Sequence, residues 1–226
     1  MKKLFAIALS VLMLAGCAST TQECPPCETS DAATAETTVT PLPEARDTTK
    51  TYKPSQDAEE TACTADVYAA GCSSINAENL TEYLNRDDVL YIDLRDYSDY
   101  AKKHLRNFEV IPYFALIFDA DAGTEGKPQL FGGTLDAPVA TYEESELLFE
   151  AMFPKDTTIF LMCQSGGRVA QLMQLMDSLG YDMSKIYNVG GMGQYTGSEY
   201  APYTTDNAEV TLDVTYSFEG LTPVAE

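Results

Sequence analysis

The sequence predicts a single α/β domain, a central parallel β-sheet flanked by helices, carried behind a disordered N-terminal tether. Three observations lead there. Short apolar runs alternate with stretches of helical periodicity, the pattern of crossover units that set neighbouring strands parallel. The stretch from Arg168 to Leu179 carries a complete core stripe at helical spacing. Residues 18–60, in contrast, are rich in Thr, Ala, Pro, Glu and Asp and hold hardly any large apolar side chain. Such a segment cannot bury enough surface to offset its ordering entropy.

The chain opens as an address. Met1-Lys2-Lys3 is a positive start, and the apolar run Leu4 to Leu14 is too short to span a bilayer. It ends in Leu14-Ala15-Gly16-Cys17, which resembles the lipobox of bacterial lipoproteins. That resemblance implies removal of residues 1–16, diacylglycerol on the Cys17 sulfur and an acyl chain on its new amino group. Each buried methylene then contributes about 0.8 kcal/mol to anchoring. A plain secretory leader with an incidental Cys17 is the alternative. Ala18 is compatible with the outer membrane of a Gram-negative cell, so a lipid-anchored, extracytoplasmic place in the envelope is expected. Residues 17–60 read as the lipid-anchored tether. Within it Cys24-Pro25-Pro26-Cys27 has no strand before it, and Pro26 disfavours helix at that point. A small structural disulfide, or no bond, fits this pair better than an active dithiol.

Residues 61–200 read as the folded domain. Cys63 and Cys72 flank a short segment at its edge and can pair in an oxidising compartment, which leaves Cys163 as the odd thiol. Asn76 can cap a helix whose apolar positions Leu80, Tyr83 and Leu84 share a face. Asp88 to Arg95 is a strand that ends in charge, and Tyr97 to His104 a short helix. Thr158 to Cys163 is a second strand. The helix from Arg168 buries Val169, Leu172, Met173, Leu175, Met176 and Leu179 and stops at Gly180. Lys185 to Val189 is a third strand, closed by Gly190-Gly191. Sites in such sheets form at the carboxyl ends of the strands, here beside Asp93, Cys163 and Gly190. Residues 201–226 form a C-terminal extension. In it Val210, Leu212, Val214, Tyr216 and Phe218 alternate as an added edge strand would.

Charge and composition exclude several functions. The formal charge is -21, and loss of Lys2 and Lys3 with the leader takes it to -23 (-21 minus 2). A surface this acidic repels phosphate backbones, so no nucleic-acid partner is expected. One His, His104, cannot build a multi-imidazole zinc site and leaves little room for a Ser-His triad. Asp119-Ala-Asp121-Ala-Gly123 lacks most ligands of a calcium loop, so no metal and no cofactor are expected.

Cys163-Gln164-Ser165-Gly166-Gly167-Arg168 joins a strand to a helix. Backbone N–H groups in such a loop converge on an anion, and the helix start adds positive potential. Both favour thiolate, the nucleophilic form. Gly166 and Gly167 let the loop curl, and Arg168 can hold an oxyanion or the charge of a terminal sulfur. A buried apolar Cys before a glycine turn would read the same way.

From Ile75 to about Gly197 the chain resembles the rhodanese family, with the family's elements in order. They are Ile92-Asp93-Leu94-Arg95, His104, Ile111-Pro112, Cys163 to Arg168, Leu179-Gly180-Tyr181, and Asn188-Val189-Gly190-Gly191-Met192. The resemblance implies a rhodanese-like fold and a sulfurtransferase in which Cys163 carries sulfane sulfur as a persulfide. Arg168 joins Cys163 as catalytic, and the loop from Gln164, Ser165, Gly166 and Gly167 through to Val169 cradles the sulfur. Asp93 and Arg95 would brace that loop, and His104 would fix structure. The partners implied are a small donor of the thiosulfate or polysulfide type and a thiol acceptor, with the membrane reached through lipid on Cys17.

The chain also departs from the family. Lys103-His104-Leu105-Arg106-Asn107-Phe108 stands where Gly-His-Ile-Pro-Gly-Ala is usual, and Tyr195 replaces a Trp. A long glycine-bearing stretch after Pro112 predicts an expanded loop near the site mouth. Two other functions stay open. A Cys-dependent phosphatase or arsenate reductase also uses a Cys…Arg loop, but the loop here is one residue shorter, which suits a single sulfur better than a tetrahedral oxyanion. The other is a catalytically silent binding module.

Overall fold

The computed structural model describes residues 40–205 and 211–225. The leader, Cys17, Cys24, Cys27, most of the predicted tether and Asp206 to Val210 lie outside the described residues. Short strands β1 (Thr51–Tyr52) and β2 (Thr61–Ala62) pair antiparallel. Then come β3 (Val89–Asp93), α1 (Tyr97–Lys102), β4 (Glu109–Val110), a π-turn (Tyr113–Ile117) and the hairpin β5 (Phe131–Thr134) and β6 (Ala137–Ala140). The series ends with α2 (Ser145–Met152), β7 (Thr158–Cys163), α3 (Gly167–Ser178) and β8 (Ile186–Gly191). The central sheet runs β4-β3-β7-β8, every pair parallel, as the alternation predicted.

The apolar run of β7 is explained by burial on both sheet faces, which parallel sheets require. Side chains alternate along it with period two. Ile159, Leu161 and Cys163 join the core formed with α3, while Phe160 and Met162 join the opposite core with Tyr91, Phe108 and Tyr187. Five α3 side chains, Val169, Leu172, Met173, Leu175 and Met176, are wholly buried. Each stabilises the fold by about 1.5–3 kcal/mol relative to exposure.

Four expectations change. The chain is already packed from residue 40, not 61. Ala45 is buried, Tyr187 Oη donates to the Pro43 carbonyl at 2.6 Å, and Arg46 donates to the carbonyls of Ile186 (2.8 Å) and Met183. This segment lies beside β8 and adds only Leu42 and Ala45 to the apolar core, too few for its mostly polar composition to reveal it. The helix expected after Asn76 is a single 3₁₀ turn, Leu80–Tyr83, because Asn76 and Asn79 side chains bind the local backbone instead of capping a longer helix.

The stretch after Pro112 is not one expanded loop but the π-turn, the β5–β6 hairpin and α2. Residues 211–225 form no strand, although Tyr216 and Phe218 do lie against Tyr97 and Tyr142. The chain meets the body through the Thr222 carbonyl, which accepts from Glu143 N–H, and through Val224 N–H, which donates to the Thr141 carbonyl. Other segments lie close to both ends of the sheet order. Residues 43–46 lie beside β8, and the other side is tied by backbone bonds from Arg106 to Tyr203 and from Thr205 to His104.

Candidate functional site

Cys163 closes β7, where the register with β8 shifts between Leu161 and Cys163 so that Cys163 meets Gly191. The thiol is 1% exposed, and its Sγ accepts the Gly166 N–H at 3.1 Å. Gly166 makes that contact with φ +90°, a conformation natural to glycine, and begins α3 as its cap. The first N–H groups of a helix have no intrahelical acceptor. Accordingly the amides of Gly167, Arg168 and Val169 bond to no acceptor among the described residues, and the first helical bond runs from Ala170 to the Gly166 carbonyl. Sulfur and free amides thus share one loop, the arrangement expected for an anion cradle. The Val169 side chain is core, so only its backbone is available to a ligand.

The loop is held from two sides, by residues of the motif at 188–192 and by Gly193, Tyr68 and Ala70, which the sequence did not single out. On the β8 side, Asn188 Nδ2 donates to the Gly166 carbonyl at 3.0 Å, and Gly193 N–H donates to the Gln164 carbonyl at 3.1 Å. Gly191 comes so close that a Cβ there would lie 2.2 Å from the Gln164 carbonyl carbon. The other side is the segment between Cys63 and Cys72, which are joined as a disulfide. Asn188 Nδ2 also donates to the Tyr68 carbonyl at 2.8 Å, and Ala70 Cβ would lie 2.7 Å from a Cβ at Gly166. A polar residue inside an otherwise apolar strand was the available signal for Asn188, since a buried amide must find partners. Replacing both Cys63 and Cys72 by Ala is expected to lower stability by about 2–3 kcal/mol, the entropic value for a loop this short. Urea unfolding measures it, and an unchanged midpoint would contradict it.

Asp93 and Arg95 are both buried and paired, Nη2 to Oδ2 at 2.6 Å and Nε to Oδ1 at 3.0 Å. Burial pushes the Asp93 carboxyl above its ordinary range, and the Arg95 guanidinium pulls it back. The remaining Arg95 bonds go to the Lys103 carbonyl at 2.8 Å and the Asp99 carbonyl at 3.4 Å. The pair therefore clamps α1 onto β3, and among the described residues neither side chain hydrogen-bonds to the Cys163 loop it was expected to brace. Its link to the site is Leu94, whose N–H donates to Met162 and whose carbonyl accepts from Arg168 Nη1 at 3.4 Å. His104 is engaged elsewhere, with Nδ1 2.8 Å from the Tyr100 carbonyl and its ring stacked on Tyr100 at 3.7 Å. Gln164 and Ser165 are exposed at the loop's crest. Arg168 Nη1 reaches the Leu94 carbonyl at 3.4 Å, and its guanidinium lies 5.3 Å from the Phe114 ring centroid. Asp119, from the incomplete calcium pattern, pairs with Lys127.

Comparison with known proteins gives three findings. A family model described as the rhodanese-like domain matches residues 76–197, just over half of the chain. Rhodanese-like domain-containing protein 9, chloroplastic, of Arabidopsis thaliana is 27% identical over 119 residues, 50% of this chain and 51% of that protein. The chain thus spans about half the length of the curated relative it matches. A solved structure, a rhodanese with anions from E. coli, is 16% identical and covers 53% of this chain and 99% of its own, with a TM-score of 0.31.

Proposed function

The chain belongs to the rhodanese-like domain family, and from that premise we propose that it is a sulfurtransferase carrying sulfane sulfur as a persulfide on Cys163. One observation carries the reading: Sγ accepts the Gly166 N–H at 3.1 Å at the start of α3, where three further amides lack acceptors. A thiolate needs no general base once formed. The Cys163 thiolate attacks the outer sulfur of a donor such as thiosulfate or polysulfide. A new S–S bond forms as the donor's own S–S bond breaks, and sulfite or the shortened polysulfide leaves with its electron pair. A thiol acceptor then takes that sulfur and returns the thiolate. The loop amides of Gln164 to Val169 would hold the terminal sulfur's charge, and Arg168 the rest of the anion.

The proposed setting is the outer face of a cell membrane, reached through lipid on Cys17. The Cys63–Cys72 disulfide supports it, since such bonds persist mainly in oxidising compartments. Among the described residues no helix is long and apolar enough to cross a membrane.

A second reading, a silent binding module, is favoured by the near-complete burial of Cys163. Intact mass separates the two. The reduced chain is incubated with thiosulfate or polysulfide beside a Cys163→Ser control, which retains every other cysteine. A gain of one sulfur atom, released by cyanide and absent from the control, is expected. No gain by a folded chain with a free Cys163 would establish the binding module instead.

A further inference from the structure

α2 turns only part of its surface to the core. Ser145 and Phe149 are buried and Leu148 and Met152 half-buried, but Leu147 is 73% exposed, the most exposed large apolar side chain among the described residues. Ala151, one helical turn on from Leu147, is exposed as well. Beside this flank lies an open groove of about 410 Å³, within the size range of binding sites. Its walls are Leu116 of the π-turn, Leu130, Leu148 and Met152, with Phe218 and Leu221 of the C-terminal segment. Ala151 lines it too, so groove and exposed helix flank form one apolar strip.

The wall supplied by the C-terminal segment is anchored. Phe218 stacks on Tyr142 at 5.8 Å, and Leu221 N–H donates to the Phe218 carbonyl at 3.3 Å, which closes a turn between the two wall residues. Thr222 follows at once, its N–H and its Oγ1 each donating to the Glu144 carboxylate at 2.9 Å. The charges around the strip share one sign. Glu219 lines the groove, and Glu146 and Glu150 line the other flank of α2, all three exposed. Among the described residues none of these carboxylates is ion-paired, and no Lys or Arg lines the groove. The cation on the far flank, Lys155, donates to the Leu179 carbonyl at 3.0 Å and lies over the Tyr181 ring.

We propose that α2 and residues 217–221 form a docking groove for a basic amphipathic helix of a partner protein. Its apolar face covers Leu147 and Ala151 and enters the groove, and its Lys or Arg residues face Glu219, Glu146 and Glu150. An apolar patch rimmed by polar residues marks a contact with another molecule, and a helix laid in a groove is a recurring way to fill one. Charge selects the occupant. At -21 the chain repels a second copy of itself and an anionic membrane surface, and it attracts a cationic segment. No residue of the Cys163 loop lines the groove, so docking stands whether or not sulfur is transferred.

The test titrates the full chain into a labelled helical peptide with leucine on one face and lysine on the other, at about 0.15 M salt. Fluorescence anisotropy reads binding, beside a peptide of the same composition whose leucines are scattered around the helix. The amphipathic peptide is expected to bind more tightly, on the order of 10-fold. Leu147→Ser and Ala151→Arg are each expected to weaken it on the order of 10-fold, and Glu219→Gln about 3-fold. All three positions are exposed, so melting within about 2 °C of the parent is expected and shows that the fold is kept. Equal binding of the two peptides, or no effect of Leu147→Ser and Ala151→Arg, would reveal only a general attraction to an acidic chain and would overturn the proposal. Binding of anionic phospholipid vesicles that the same two variants abolish would overturn it as well, since the face would then be a membrane contact.

Discussion

Asp93→Asn is expected to lower the stability of the chain by about 3–5 kcal/mol, the usual consequence of breaking a buried ion pair by removing one partner. Asp93 is fully buried and Arg95 3% exposed, so neither charge can turn to water. Asn retains the shape but offers one acceptor oxygen and no charge, and Arg95 is left buried with half its fork unmatched. The clamp between β3 and α1 then opens, since the same guanidinium holds the Lys103 carbonyl. For a domain of this size the loss corresponds to a fall in Tm of about 6–20 °C. Thermal melting measures it, and a shift below about 2 °C would show that the pair contributes little to stability.

Gly191→Ala is expected to act on the site far more than on the fold. The glycine sits at φ -154°, which alanine also adopts, so the backbone itself resists nothing. The obstruction is steric. A Cβ would lie 2.2 Å from the Gln164 carbonyl carbon and the Ser165 nitrogen and 2.3 Å from the Gln164 oxygen, all backbone atoms of the loop. Backbone cannot turn aside as a side chain does, so the loop must shift and the Gly166 N–H must leave the sulfur. A displacement near 1 Å costs on the order of 100-fold in rate, whereas overpacking costs about 1–3 kcal/mol of stability. Loading of Cys163 by intact mass, set beside a melting curve, separates the two effects. Loading within about 2-fold of the parent would show that the loop geometry is not what positions the sulfur, since misplacement should cost far more.

What the sequence disclosed follows from where each signal originates. β7 and α3 were legible because burial writes itself into a continuous apolar run and a helical stripe. The Cys163 loop was legible as a strand-to-helix turn from its two adjacent glycines, while its reading as a site came from the family resemblance. Residues 40–46 were not legible, because they add only Leu42 and Ala45 to the apolar core, too few for a mostly polar composition to betray. The C-terminal pattern misled for a related reason. Alternation predicts a buried face, but Leu212 and Val214 are exposed and only Tyr216 and Phe218 are half-buried against aromatic neighbours, so the pattern reported partial contact and not a strand. Phe114 was beyond reach, since its exposure depends on a π-turn that no local periodicity announces. The bracing task of Arg95 came from the family resemblance, and the direction of its long side chain, toward the Asp99 and Lys103 carbonyls, was not legible in the sequence.

The family match begins at residue 76, while residues 43–46 lie beside β8 and the Cys163 loop is buttressed by Tyr68 and Ala70. The length of chain shared among relatives and the length that closes this molecule are therefore different lengths. The match spans the sheet and Cys163, and residues before it close around both, so a fragment cut at residue 76 would lose part of what holds the loop in place.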